Sequence, residues 1–385
     1  LGRGDFPNEI TLVKSNMIYI DKSSISSRAI NSLKRLAAFK NPEFYKAQAM
    51  RLPTFNKARI ISCFDETEKY LCLPRGTLLK INELFSESNV IVKLDDKTNE
   101  GRSIKVSFNG ELRDEQKLAI DELIKHEDGV LSATTAFGKT VVAAKLIAEK
   151  KVNTLIMVHR GQLLTQWKER LEQFLTIDES LPVEPKKRGP EKKKSIIGQM
   201  ISGKNKLGDI IDIAVMQSLC SKGEIKECVK NYGLVIVDEC HHVSAFSFEQ
   251  ILKKVNAKYV YGLTATPTRK DGHHPIIFMQ CGPIRYQVDA KKQALKRPFD
   301  HYIIPRFTSF RVPVFEGDKT PSIQEIYSQI TSDEIRNQLI IDDIINAYKN
   351  GRNCLVLSER TVHVNTIAKG LQHKIPEVIT LTGGI

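Results

Sequence analysis

GVLSATTAFGKT, residues 129–140, is a short apolar strand that runs into small residues, a Gly-Lys-Thr triplet and the start of a helix. A phosphate-binding loop requires that order. The first turn of a helix leaves backbone N–H groups without intrahelical partners, and their summed dipole favours an anion. The amides of residues 136–140, which include Ala136, Phe137 and Gly138, would cradle phosphates, Lys139 would reach the β and γ phosphates of ATP, and the Thr140 hydroxyl would bind Mg²⁺. Ala133 stands where such loops usually begin with Gly, and Ala136 stands where many carry another. Alanine lacks glycine's freedom at positive φ, so Ala136 is expected either in ordinary αR or β geometry or under slight strain. The triplet by itself is a common string, and its weight comes from the motifs downstream.

About a hundred residues on, LVIVDECHH (234–242) is an apolar run ending in two acids. A strand there carries Asp238 and Glu239 to the edge where the loop lies, Asp238 to hold Mg²⁺ and Glu239 to orient and deprotonate an attacking water. Taken singly, the acid pair could cap the next helix, and the two histidines could be a surface pair or a metal fragment. The order of the two motifs and their shared strand context favour chemistry. YGLTATPTRKDG (261–272) then offers the hydroxyls of Thr264 and Thr266 at the end of another strand, placed to relay loss of the γ phosphate to the acid motif through His241. A Thr-rich turn ended by Pro267 is the plainer alternative.

Three further candidates carry less. Gln116 in LRDEQKLAI (112–120) has the donor and acceptor needed to read the edge of adenine, or is a solvated helix residue. Arg160 in MVHRGQLLTQW (157–167) could clamp a nucleic-acid phosphate, and Gln217 and Ser218 in AVMQSL (214–219) a neighbouring one, although caps or surface polarity would suit these residues equally. Trp167 reads as core packing rather than a base-stacking platform.

The motifs sit in a regular rhythm. From about residue 105, continuous apolar strands (GVLSA, TLIMVH, IDIAVM, LVIVD, YVYGLTAT) alternate with helical stretches, the mark of a parallel sheet covered on both faces with its ligands at the carboxyl ends of the strands. The rhythm restarts at NCLVLSER (353–360) after the helical SDEIRNQLIIDDIINAYKN. Residues 1–104 read as a separate α+β accessory domain: a hairpin in EITLVKSNMIYI, helices through SRAINSLKRLAAF and NPEFYKAQAMRL, and strands in ARIISCFD, KYLCLP and NVIVKL. Ten Lys and Arg against four Asp and Glu up to Lys57 suit a surface lying along phosphates, or a solvated basic helix pair. DDKTNEGRS (95–103) reads as a linker, 105–274 as a first lobe, 275–329 as an irregular inter-lobe insert and 330–385 as the start of a second lobe. LPVEPKKRGPEKKK (181–194) resembles a nuclear localisation signal but reads better as an exposed, solvated insertion.

Composition bounds these readings. The chain has 385 residues, enough for two or three domains, and no apolar run reaches the ~18 residues of a membrane span. The seven cysteines form no CxxC pair, which points to reduced thiols in an intracellular, cytoplasmic setting and disfavours a structural metal. A formal charge of +13 favours a polyanionic partner. The opening LGRGDFPNEI has neither an initiator Met nor a basic-then-apolar leader, so the chain reads as part of something longer.

QKLAI, TTAFGKT, VHRGQLLTQW, IAVMQSL, DECHH, GLTATPTRKDG and LVLSER, in that order over about residues 110–385, resemble the ordered motifs of superfamily 2 helicases, most similarly the XPB-like and restriction-motor branch. The resemblance implies an α/β fold with a complete RecA-like parallel-sheet lobe, a partial second one and the N-terminal domain. It implies ATP and Mg²⁺ as cofactors, DNA as partner with RNA left open, no membrane, and 3′ to 5′ movement coupled to ATP hydrolysis. Arg269, Lys270 and Asp271 resemble the branch's Arg-Glu-Asp element, with Lys in place of Glu, and bring Arg269 in as a nucleic-acid contact. NPEFYKAQAMRLPTFNKARIISCFDE followed by YLCLPRG resembles the segment preceding the helicase in bacterial and mobile-element primase-helicase conflict-system proteins. The family's QxxGRxxR motif with its arginine finger is not found before the chain stops at LTGGI, so the missing C-terminal region of the same protein is an expected partner and hydrolysis by this chain is expected to be slow. Two rivals stay open: a restriction-type duplex translocase that does not separate strands, and an ATP-sensing nucleic-acid-binding module with little turnover. The sequence is silent on oligomeric state.

Overall fold

The computed structural model describes residues 4–179, 196–201, 204–221, 223–241, 245–269, 271–289, 302–312 and 321–382. The insertion read at 181–194 and Lys270 lie outside them. Two compact units divide the chain, Leu1–Arg297 and Pro298–Ile385.

The N-terminal part of the first unit builds one sheet from strands β1 (Glu9–Lys14), β2 (Met17–Asp21), β3 (Asp65–Glu66), β4 (Tyr70–Pro74) and β5 (Ile91–Asp96), in the order β3-β4-β2-β1-β5. The expected hairpin is present, with Leu12 opposite Ile20 and Val13 opposite Tyr19. Helices α1 (Ser27–Leu36) and α2 (Pro42–Ala49) also fall where their sequences place them. Each begins on a side-chain cap: Ser26 Oγ accepts from the Ala29 amide and Asn41 Oδ1 from the Glu43 amide. The helix α3 (Leu78–Glu87), absent from the elements expected of this region, buries Ile81 and Phe85 in the same core.

This part is fastened to the rest of its unit. Arg75, 2% exposed, donates to the carbonyls of Ala257 and Lys258. Lys253 pairs with Asp65 at 2.8 Å and Asn16 Nδ2 donates to Lys253 O at 2.6 Å. The stretch read as a free linker is pinned too: the Asn99 amide donates to Asn256 O, and the Lys258 amide returns a bond to Asn99 O.

The main sheet contains β6 (Asp128–Ser132), β7 (Thr154–Val158), β8 (Ile197–Ile201), β9 (Lys204–Lys206), β10 (Ile211–Val215), β11 (Leu234–Val237), β12 (Tyr259–Thr264) and β13 (Ile284–Gln287). Their order is β9-β8-β10-β7-β11-β12-β6-β13, with every pairing parallel except that of β9 with β8. Side chains alternate between two cores. Ile156, Val158 and Ile236 enter the one on the side of helices α4 (Asp114–Leu123), α5 (Lys139–Lys150) and α6 (Gln162–Phe174), whereas Leu155, Met157, Val235 and Val237 enter the one under α7 (Ala245–Leu252) and α8 (Pro275–Cys281). Burial on both faces is why these strands read as unbroken apolar runs.

Two boundaries move. Residues 275–287, expected in the insert, form α8 and the parallel edge strand β13 of this sheet. The polar IRYQ pattern hid it because an edge strand is half exposed; Arg285 pairs there with Asp128 at 3.0 Å. The second unit holds helices α9 (Ile323–Ser332), α10 (Glu334–Lys349) and α11 (Thr361–Leu371), and α10 and α11 gather a small core of Ile341, Ile367 and Leu371. The strand expected at 353–360 is not formed, and Leu355 and Leu357 are each 83% exposed. A parallel strand takes its hydrogen bonds from neighbours, and the described residues of this unit contain no other strand.

Candidate nucleotide site

Strands β6, β12 and β11 lie side by side and parallel, so their carboxyl ends deliver the phosphate loop, Thr264 and Asp238–Glu239 to one edge. The loop is anchored by Ala133, whose amide donates to Thr264 O at 2.9 Å. Ala136 has φ 68° and Gly138 φ 88°, both left-handed, and α5 starts directly after Gly138. Of the two geometries open to Ala136, the strained one is adopted, at a cost of about 1 kcal/mol. Phe137 explains how it is held: the ring is buried, and its carbonyl accepts from Gln116 Nε2 at 2.8 Å and from the Arg113 guanidinium.

That bond changes the reading of Gln116. Expected to face adenine, the amide is 3% exposed, with its oxygen accepting from the Arg113 amide at 3.0 Å as part of the α4 capping box and its nitrogen on Phe137. It braces the loop, and a Cβ at Gly138 would come within 2.5 Å of its Nε2.

Lys139 and the acids meet. Lys139 Nζ lies 3.0 Å from Glu239 Oε1 and donates to Ala133 O at 3.2 Å. Glu239, itself at φ 44°, accepts from the Ala265 amide through Oε2 at 3.3 Å, and the same oxygen is 3.3 Å from His241 Nδ1. His241 Nδ1 is in turn 2.7 Å from Thr264 Oγ1. Thr264 is fully buried, whereas Thr266 is exposed and gives Thr264 its backbone carbonyl and amide rather than bringing its hydroxyl to His241.

Asp238 is 8% exposed, and burial, with Glu239 beside it, pushes its pKa up to about 6 against the opposing pull of Trp167 and Lys139. The Trp167 indole donates to Asp238 Oδ2 at 2.7 Å. The packing role expected of Trp167 holds, at 2% exposure, but a buried indole N–H also needs an acceptor, and that rule is the one signal the sequence carries for the bond. The donor types present, a half-buried Thr140 hydroxyl at the start of α5 and the Asp238 carboxylate, are the oxygen ligands Mg²⁺ prefers, so the residues fit that ion.

The nucleic-acid candidates divide. Arg160 and Gln217 are exposed just beyond the carboxyl ends of β7 and β10, which are neighbours, while Ser218 is nearly buried in a 3-10 turn. Arg269 does not stand free for phosphate. Its guanidinium forks onto Asp271 at 2.9 and 2.6 Å and donates to His241 O at 2.8 Å, which holds the Asp271 carboxyl well below the usual range. His242 lies outside the described residues.

A parallel α/β sheet with a left-handed loop at a helix start, a lysine and paired acids at one edge defines the RecA-like nucleotide-binding lobes. Residues 109–269 match the family described as Type III restriction enzyme, res subunit. The chain is 33% identical over 186 residues to the DNA 3'-5' translocase XPB2 of Sulfurisphaera tokodaii, covering 48% of this chain and 38% of that protein. It is 30% identical over 187 residues to the DNA 3'-5' helicase XPB of Mycobacterium tuberculosis, covering 47% and 31%. The crystal structure of the UvsW helicase from bacteriophage T4 aligns with a TM-score of 0.51 at 17% identity over 72% of this chain and 99% of that one, a likeness of fold. Over this region the chain is similar to superfamily 2 helicases of the XPB-like branch. It spans between 31% and 58% of the length of five curated relatives it matches. No helix among the described residues is long and apolar enough to cross a membrane.

Proposed function

We propose that this chain supplies the ATP site of a motor that couples ATP hydrolysis to movement along DNA. The carrying observation is the placement of Glu239 between Lys139 on one side and the His241–Thr264 pair on the other. Lys139 leaves Glu239 for the β and γ phosphates when ATP enters, which frees the carboxylate to take a proton from the attacking water. Mg²⁺ held through Thr140 and Asp238 would neutralise charge between those phosphates. Hydrolysis reverses the exchange. Because Thr264 also belongs to the strand end that carries the 265–272 loop, a change at Glu239 is passed to that loop through His241. Arg160 and Gln217, both exposed, are the lobe's side-chain contacts to the strand, with Ser218 beside Gln217 in the same turn, and Gln116 acts on the nucleotide through the loop it braces.

The family match to a restriction subunit favours one second reading, movement on duplex without strand separation. The test measures ATPase rate with and without DNA, then strand displacement beside triplex displacement. Stimulation with strand displacement supports unwinding; triplex displacement alone supports duplex translocation. An ATPase rate of the full-length parent that is indifferent to DNA refutes the motor.

A further inference from the structure

Residues 40–60 of the accessory domain bury Phe44 and Ala47 but present an outer surface that the nucleotide site does not use. Just before α2, along it and in the loop after it lie Lys40, Lys46, Arg51, Lys57 and Arg59 against the single acid Glu43. A solvated basic face would be polar throughout, and this one is not. Met50 is 58% exposed, Leu52 55%, Ile60 56% and Phe55 92%, the last among the highest exposures of any large apolar side chain described. The cations already lie near rings: Lys40 Nζ is 5.7 Å from the centre of the Tyr45 ring, and the Arg59 guanidinium 5.5 Å from that of Phe44. Glu43, the segment's one acid, is paired with Lys57 at 3.2 Å, so the other four cations keep their charge uncompensated from within the segment.

The surface is attached to the motor loop. A Cβ at Gly272 would meet Pro42 Cγ at 2.5 Å, so the start of α2 sits directly on the turn that follows Arg269 and Asp271. The Phe39 ring meets His273 edge-on, with centroids 6.3 Å apart, and the His273 amide donates to Asp271 Oδ1.

Resting on the reading of the chain as a motor, we propose that residues 40–60 bind an unpaired nucleic-acid strand, with Phe55 as a stacking platform for a base and Arg51, Lys57 and Arg59 against the phosphates. Net positive charge favours a polyanion over a protein partner, and projecting apolar and aromatic groups favour a strand whose bases are free to stack over a duplex, whose bases are not.

The test uses the full chain without nucleotide, and binds it to a labelled 25-nucleotide oligo-dT and to a 25-base-pair duplex at fixed salt. Phe55→Ala should weaken oligo-dT binding roughly tenfold or more and leave duplex binding within about twofold. Arg51→Gln/Lys57→Gln/Arg59→Gln should make the salt dependence of oligo-dT binding shallower by about two. DNA-free ATPase turnover should be unchanged in both, which reports an intact fold. Equal losses on both ligands would overturn the stacking role and mark a duplex surface. Wild-type binding by both variants would overturn the proposal and leave the motor reading standing. A wild-type chain that binds neither ligand would overturn both.

Discussion

Asp238→Asn should make the lobe more stable while it abolishes turnover. The carboxyl's pKa stands at about 6 in the folded chain, against the ordinary value of 3.8. A carboxyl with a raised folded value binds its proton more tightly when folded. Stability is therefore fully present below the unfolded value and falls as pH rises through about 6. Two units correspond to about 3 kcal/mol lost at pH 8 and, with much of the group still protonated, about 1.5 kcal/mol at pH 5. Asparagine keeps an acceptor for the Trp167 indole but carries no charge, so it recovers those amounts. Urea unfolding without Mg²⁺ or nucleotide, followed by fluorescence, suits the question because Trp167 is the chain's single tryptophan and reports this lobe alone. The expected gain is about twice as large at pH 8 as at pH 5. A variant no more stable than wild type at pH 8, or a gain equal at both pH values, would refute the account of Asp238 as a destabilised buried charge.

Trp167→Phe should cost roughly 1.5–3 kcal/mol at pH 8 through the lost hydrogen bond to a charged group, and less at pH 5; circular dichroism melts with equal losses at both would assign Trp167 to packing alone. Lys139→Ala should weaken ATP binding and stop hydrolysis, whereas Glu239→Gln should bind labelled ATP normally and not turn over, and an active Glu239→Gln chain would sink its assignment as the base. Arg160→Ala should weaken DNA of every sequence alike and make the salt slope shallower by about one; Arg269→Ala, engaged with Asp271 and His241, should lower DNA-stimulated ATPase and leave that slope alone. Exchanged slopes would reverse the two roles.

The sequence by itself determined the lobe and the candidate residues of its nucleotide site. Strands buried on both faces must be apolar at every position, and a phosphate loop must follow a strand and open a helix, so TLIMV, LVIVDE and ATTAFGKT were legible from local pattern alone. The expected hairpin and helices of the first hundred residues were legible for the same reason, being set by neighbours a few positions away. Only the tertiary structure decided what each polar group is bonded to. Gln116 and Phe137 lie 21 positions apart, Trp167 and Asp238 71 apart, and Arg75 and Ala257 182 apart, and no periodicity encodes such pairs. Buried polar groups must find a partner, but which one depends on how the sheet brings distant loops to one edge. That is how Gln116 became a brace for the loop, Trp167 a donor to Asp238, and Arg269 a clamp on His241.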